Sequence, residues 1–214
     1  MQQSKRPLLI GITGNIGSGK STFCDLLMAA GIKVLQADEI AKKHLHDPQV
    51  VRALSQRFGP VVLDKDIPGI IDKKALAKLI FIQPAEVRFL NYLLHPLVLQ
   101  DMQTLAETSP EDYLIFEVPL LFEANLQDCF DYLVLVTCTE EIRQVRLKAR
   151  GDIDAQQRAE YQISDQEKIA KVDRVIDNNL SIDHLQKQAR EFISEIPSIL
   201  YKRTRPFSAN HISK

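Results

Sequence analysis

The sequence predicts an α/β fold, a parallel sheet flanked by helices and interrupted by a helical insertion. Three observations predict it. Short apolar runs alternate with amphipathic helical stretches, the pattern of strand–helix–strand units. The first such run leads directly into a glycine-rich turn and a helix. Between residues 48 and 108 the strand signal disappears and only helix-like segments remain.

Taken in order, Pro7-Leu8-Leu9-Ile10-Gly11-Ile12-Thr13 reads as a buried strand. Residues 21–30 then place Phe23, Leu26, Leu27 and Ala30 on one helical face, with Gly31 as the stop signal. Ile32-Lys33-Val34-Leu35-Gln36 reads as a second strand, and Asp38 opens a helix through Ala41 and Leu45. Residues 50–58, 73–81 and 84–107 are helix-like, broken by Gly59-Pro60, Ile67-Pro68-Gly69 and His95-Pro96. Strands resume at Tyr113-Leu114-Ile115-Phe116-Glu117 and Tyr132-Leu133-Val134-Leu135-Val136. Thr139 is expected to cap the next helix, whose first turn carries Glu140 and Glu141. A short fifth strand at Arg174-Val175-Ile176 precedes a last amphipathic helix expected to end near Pro197. The stretch 201–214 is polar and mildly basic, and is expected to be a loose tail.

Composition narrows the function classes. The 214 residues are 45% hydrophobic and 26% charged, ordinary for a globular protein. A net charge of -1 gives no global attraction to nucleic acid or anionic membrane, so neither partner is expected. There is no apolar run of membrane-spanning length and no leader-like N-terminal run. Cys24, Cys129 and Cys138 show no metal or redox spacing and read as reduced thiols, giving an expected cytoplasmic location.

The chemistry centres on Gly14-Asn15-Ile16-Gly17-Ser18-Gly19-Lys20-Ser21, which fits the phosphate-binding pattern G-x-x-x-x-G-K-[ST]. Its glycines let main-chain amides approach an anion closely, at a helix N-terminus that favours negative charge. Lys20 would reach the β- and γ-phosphates, and the Ser21 hydroxyl would ligate Mg²⁺. A nucleoside triphosphate is therefore the predicted ligand. In an open parallel sheet, ligands lie outside the carboxyl ends of the strands. The phosphate loop, Asp38 and Glu117 all follow or end strands there. Asp38 could accept a proton from an attacking hydroxyl, or serve only as a helix N-cap. Glu117 could orient substrate or a Mg²⁺-bound water, or simply end its strand. Arg143, Arg146 and Arg150 share one helical face, with Arg158, Lys168, Lys171 and Arg174 beyond. Such a face is either solvated or, beside a phosphoryl-transfer loop, part of a lid. His95 either bonds backbone locally or touches a substrate.

Together these motifs resemble the dephospho-coenzyme A kinases over roughly residues 8–200. The resemblance rests on the phosphate loop with its flanks (Gly11 to Thr22), on Ala37-Asp38-Glu39-Ile40-Ala41 and on Leu94-His95-Pro96-Leu97. Val118-Pro119-Leu120-Leu121-Phe122-Glu123 and Val175-Ile176-Asp177-Asn178 complete it. It implies a P-loop NTPase-type core (about 7–47, 110–142 and 172–200), a helical substrate-binding insertion (about 48–109) and a helical lid (about 143–171), in a single domain over 7–205. It further implies ATP and dephospho-CoA as substrates, with Mg²⁺, and transfer of the γ-phosphoryl group to the ribose 3′-hydroxyl. By the same resemblance Asp38 is the general base, assisted catalytically by Lys20 and Arg146. ATP is contacted by residues 14–22 (Gly14, Asn15, Ile16, Gly17, Ser18, Gly19, Lys20, Ser21 and Thr22), Arg146 and Arg150, and substrate by Asp38, His95 and Glu117. Arg158 and Gln162 match an arginine followed four residues later by glutamine.

The chain departs from the family pattern at Gln36, where a first aspartate is frequent, at Asn15, where glycine is usual, and at Arg143 and Lys73, and its lid is about three residues short. Asn15 requires a position that tolerates a β-carbon or uses the left-handed tolerance of asparagine. Two other readings were weighed: a P-loop kinase for another nucleotide or metabolite, and a nucleotide switch. Asp66-Ile67-Pro68-Gly69 mimics a GTPase D-x-x-G, but it falls in a turn of the insertion, and no Asn-Lys-x-Asp segment reads guanine.

Overall fold

The computed structural model describes residues 6–80, 82–151, 159 and 161–201, with only the backbone of Arg150. The lid residue Arg158 and the tail beyond Tyr201 lie outside the described residues. The chain forms two compact units. One runs up to Gln36 and resumes at Leu105, and the other is Ala37–Thr104.

The first unit is built on a five-stranded, wholly parallel sheet of order β2-β3-β1-β4-β5. Its strands are β1 (Leu8–Thr13), β2 (Val34–Gln36), β3 (Tyr113–Glu117), β4 (Tyr132–Thr137) and β5 (Arg174–Asp177). β1 is central and buried along its whole length, which is why it reads as a continuous apolar run rather than an alternating one. The sheet register puts Ile12 opposite Glu117 in β3 and Val134 in β4. On one face α1 (Lys20–Ala29) and the final helix, α8 (Ile182–Tyr201), pack through Phe23, Leu27, Leu185, Ala189, Phe192 and Ile196. The Phe23 and Phe192 rings are tilted with centroids 6.0 Å apart. Each fully buried side chain of this size adds about 1.5–3 kcal/mol of transfer free energy. The remaining elements here are α6 (Glu140–Arg150), the short α7 (Asp165–Ile169) and a 3₁₀ turn at Gln127–Cys129.

The second unit holds α2 (Ala37–His44), α3 (Pro48–Phe58), a 3₁₀ turn at Pro60–Val62, α4 (Lys73–Ile80) and most of α5 (Pro84–Thr108). Asp47 caps α3, accepting from the Gln49 and Val50 amides at 2.7 and 3.4 Å, with Pro48 in the first turn. Val50, Leu54, Leu76, Ile80 and Leu94 are buried in this unit.

Three local expectations are corrected. His95-Pro96 does not break its helix: α5 continues through Pro96. A proline costs the bond to the carbonyl four residues earlier, here that of Tyr92, an exposed residue, and the helix continues despite that loss. The last helix likewise runs past Pro197 to Tyr201. Thr139 occupies the N-cap position of α6 but makes no side-chain cap; its amide donates instead to Asn179 Oδ1 at 2.6 Å.

Candidate functional site

The phosphate loop leaves the carboxyl end of β1 and turns into α1. The Ser18 amide donates to the Asn15 carbonyl at 3.0 Å, closing the turn over Ile16 and Gly17. The first helical bond of α1 runs from the Phe23 amide to the Gly19 carbonyl at 3.0 Å. The amides of Lys20, Ser21 and Thr22 therefore precede the helical ladder, and no side chain caps this end. Oriented donors and the helix dipole together make a seat for an anion. Two glycines are required by contact. A β-carbon at Gly14 would overlap the Val136 carbonyl, and one at Gly19 (φ +92°) would overlap Asn178 Nδ2.

Side chains converge on this end of α1. Lys20 Nζ donates to Glu117 Oε1 at 2.5 Å, and Ser21 Oγ donates to the same oxygen at 3.0 Å. Lys20 and Glu117 are both buried. Nearby Cys24 shows how dry the surroundings are: burial first, then the Glu117 charge, pushes its thiol up to about 12. On the other side of the loop, Arg146 donates to the Ser18 carbonyl at 3.3 Å and to the Asn178 carbonyl at 2.9 Å. Asn178 Nδ2 donates to the same Ser18 carbonyl at 2.8 Å. The structure thus gathers the loop residues 14–22 with Lys20, Ser21, Glu117 and Arg146. The side chain of Arg150 is not among those described.

Asp38 and His95 belong to the second unit. Asp38 is the second residue of α2, exposed in its first turn beside Glu39, and two residues along the chain from Gln36. Gln36 ends β2 with Glu117 as its register partner in β3. His95 is half-buried within α5, and burial lowers its pKa.

Some loop residues are committed elsewhere. The Ile16 amide donates to Gln162 Oε1 at 2.8 Å, so it is already paired within the protein. Asn15 does not have a positive φ, so its position accommodates a β-carbon and does not use left-handed tolerance. Its side chain turns to Ile163 and Lys168. Among the basic residues beyond α6, Lys168 is wholly buried rather than solvated, and Arg174 pairs with Glu191 and Glu195 at 3.8 and 3.3 Å. Lys171 sits 5.9 Å from the centroid of the Phe122 ring. Arg143 pairs with Glu140 within α6.

Sequence reasoning quoted Asn178 and Glu123 only as motif members. Their roles as supports of the loop depend on contacts across long chain separations and leave no local signal. Among the described residues no group of three or more His, Cys, Asp or Glu side chains could hold a metal ion, and no helix is long and apolar enough to cross a membrane.

Comparison with known proteins agrees with this geometry. The family model described as dephospho-CoA kinase matches residues 8–184. A dephospho-CoA kinase of Chlorobaculum tepidum is 32% identical, covering 92% of this chain and 99% of that protein. One of Fusobacterium nucleatum is 35% identical, covering 88% and 98%. The crystal structure of Thermus thermophilus TT1252 superposes with a TM-score of 0.74 at 30% identity, covering 90% of this chain and 99% of that one. Dephospho-CoA kinase from Campylobacter jejuni gives 0.63 at 27% identity, covering 89% and 97%. Shikimate kinase from Acinetobacter baumannii, at 12% identity and a TM-score of 0.52, shares the fold alone. With a five-stranded parallel sheet, a phosphate loop at its centre and relatives matched along nearly their whole length, the chain belongs to the dephospho-CoA kinase family.

Proposed function

We propose that this kinase transfers the γ-phosphoryl group of ATP to the ribose 3′-hydroxyl of dephospho-CoA, giving coenzyme A and ADP. The observation that carries the reading is the convergence of Lys20, Ser21 and Glu117 on the uncapped N-terminus of α1, with Arg146 on the far side of the loop. Free amides at the start of α1, together with Lys20, hold the β- and γ-phosphates. As the ribose oxygen bonds to the γ-phosphorus, the bond to the β,γ-bridging oxygen breaks and ADP leaves. Asp38 accepts the proton of the ribose hydroxyl. Arg146, joined by Arg150, stabilises the charge spreading over the transferring oxygens.

The donor set suits Mg²⁺ of the kind shared with phosphates. Ser21 Oγ and the Glu117 carboxylate are hard oxygens 3.0 Å apart, and such ions take only one or two protein ligands with the rest from phosphates and water. When bound, Mg²⁺ would supply positive charge to the phosphates. Ser21 would hold it, with the Glu117 carboxylate beside it. The same proposal assigns the helical unit, with His95, to dephospho-CoA, the segment after α6 to a lid, and the reaction to the cytoplasm. The buried free thiols Cys24, Cys129 and Cys138 support that last assignment.

An acceptor panel tests the reading: dephospho-CoA, nucleoside monophosphates and shikimate are each offered with ATP and Mg²⁺. Dephospho-CoA is expected to be phosphorylated with the highest kcat/KM. A preference for a nucleoside monophosphate would replace the proposal with a nucleotide kinase.

A further inference from the structure

We propose that Lys168 is a positioning residue for the phosphate loop, acting through the side chain of Asn15. Lys168 has no solvent exposure at all, rare for a lysine. Its ammonium donates to Asn15 Oδ1 at 2.5 Å and pairs with Glu123 Oε1 at 2.8 Å. Asn15 Nδ2 donates to the Ile163 carbonyl at 3.2 Å, and the Ile163 amide returns to Glu123 Oε1 at 3.0 Å. One residue earlier, Gln162 Oε1 accepts from the Ile16 amide. Three segments distant in sequence are thereby tied together: the loop at residues 15–16, the stretch after β3 at Glu123, and the stretch 162–168.

The consequence for the loop follows from its own hydrogen bonds. Asn15 supplies the carbonyl that closes the turn to the Ser18 amide, so fixing the Asn15 side chain fixes where that turn begins. The amides that face an anion lie just beyond, from Gly19 into α1. A loop with glycine at positions 14, 17 and 19 has much conformational freedom to lose on binding. Tying its first half to buried groups removes that freedom in advance, which strengthens binding without any contact to the ligand. Lys168 and Asn15 thus preorganise the nucleotide seat, and neither side chain needs to touch ATP.

The inference rests on the kinase reading only for the identity of the nucleotide, and the test separates the two. ATP dissociation constants are measured by calorimetry, without turnover, for wild type, Lys168→Met, Asn15→Gly and the double variant, alongside KM for dephospho-CoA and Tm. Each single change is expected to weaken ATP binding about tenfold and to leave KM for dephospho-CoA within about twofold. Because Lys168 acts through Asn15, the double variant should bind ATP no worse than the weaker single one. ATP binding by Asn15→Gly equal to wild type would overturn the proposal. So would losses that multiply in the double variant, or a fall in Tm with ATP binding unchanged. If Lys168→Met does not fold, Asn15→Gly decides the matter alone, since glycine fits that backbone. Wild type that binds ATP but does not phosphorylate dephospho-CoA would refute the kinase reading and leave this test intact.

Discussion

Two buried lysine–glutamate pairs flank the same loop, and they differ in what surrounds them. Lys20 pairs with Glu117 at 2.5 Å, and Lys168 pairs with Glu123 at 2.8 Å. Around Lys20 are a second donor on the same carboxylate, Ser21, and a helix N-terminus with its amides still to be satisfied. Around Lys168 are an amide side chain and a backbone turn, and its side chain is fully enclosed, against 10% exposure for Lys20. Charge set among unsatisfied donors is arranged for an incoming anion. Charge closed in on all sides is arranged for the protein itself. The same residue types thus sit at an open anion seat in one place and in an enclosed support in the other.

The largest expected effect is on the chemical side. Lys20→Ala is predicted to lower kcat/KM about 10³-fold or more, as loss of a preorganised charge at a transferring phosphoryl group does. Its Tm should fall as well, because the buried Glu117 carboxylate is left with only the neutral Ser21 hydroxyl as its donor. Steady-state kinetics and a melting curve check both halves. Asp38→Asn should produce a comparable loss of turnover with ATP affinity nearly intact. Lys168→Met should lose stability together with about tenfold in ATP affinity, and far less kcat/KM than Lys20→Ala. Removing one partner of a buried pair costs about 3–5 kcal/mol, while replacing both partners by apolar groups is often neutral. Glu123 Oε2 has no partner among the described residues, so Lys168 is the charge that neutralises this carboxylate. Denaturant melts should show the loss for Lys168→Met and its recovery in Lys168→Met/Glu123→Leu.

A smaller effect is expected for Arg146→Ala, about 10–100-fold in kcat. Arg146 spends its hydrogen bonds on the Ser18 and Asn178 carbonyls, so part of its contribution is to hold the loop. The smallest is pH dependence in the helical unit. Burial lowers the His95 pKa, so the neutral ring is the form the folded protein accommodates. Its stabilising contribution is complete above the unfolded pKa of about 6.5 and is lost as pH falls through the folded value. Comparing the stability of His95→Gln with wild type below pH 6.5 should show a shallower decline in the variant.

The contrast between the two lysines also marks what the sequence could reveal. The loop around Lys20 is legible because glycines, a serine and a strand lie within a few residues of it, although its partner Glu117 is 97 residues away. The parallel sheet was legible for the same reason, since buried strands such as Leu8–Thr13 are continuous apolar runs. The burial of Lys168 is not legible in the sequence because Asn15 and Glu123 stand far off along the chain and only the fold brings them together. The helix through Pro96 was hidden too, because proline's local cost is outweighed by burial of its neighbours Leu94 and Val98. Thr139 makes no side-chain cap, and its amide is taken by Asn179, again a tertiary partner. Local chemistry marks the phosphate loop plainly, whereas the supports behind it are long-range and leave no local signal.

The most direct measurement is coenzyme A formation from dephospho-CoA, ATP and Mg²⁺, followed by mass, with wild type and Lys20→Ala at equal folded concentration. Wild type should gain one phosphoryl group on the ribose 3′-oxygen, and the variant should form that product about 10³-fold more slowly. No product from wild type, or equal rates from both, would contradict the account.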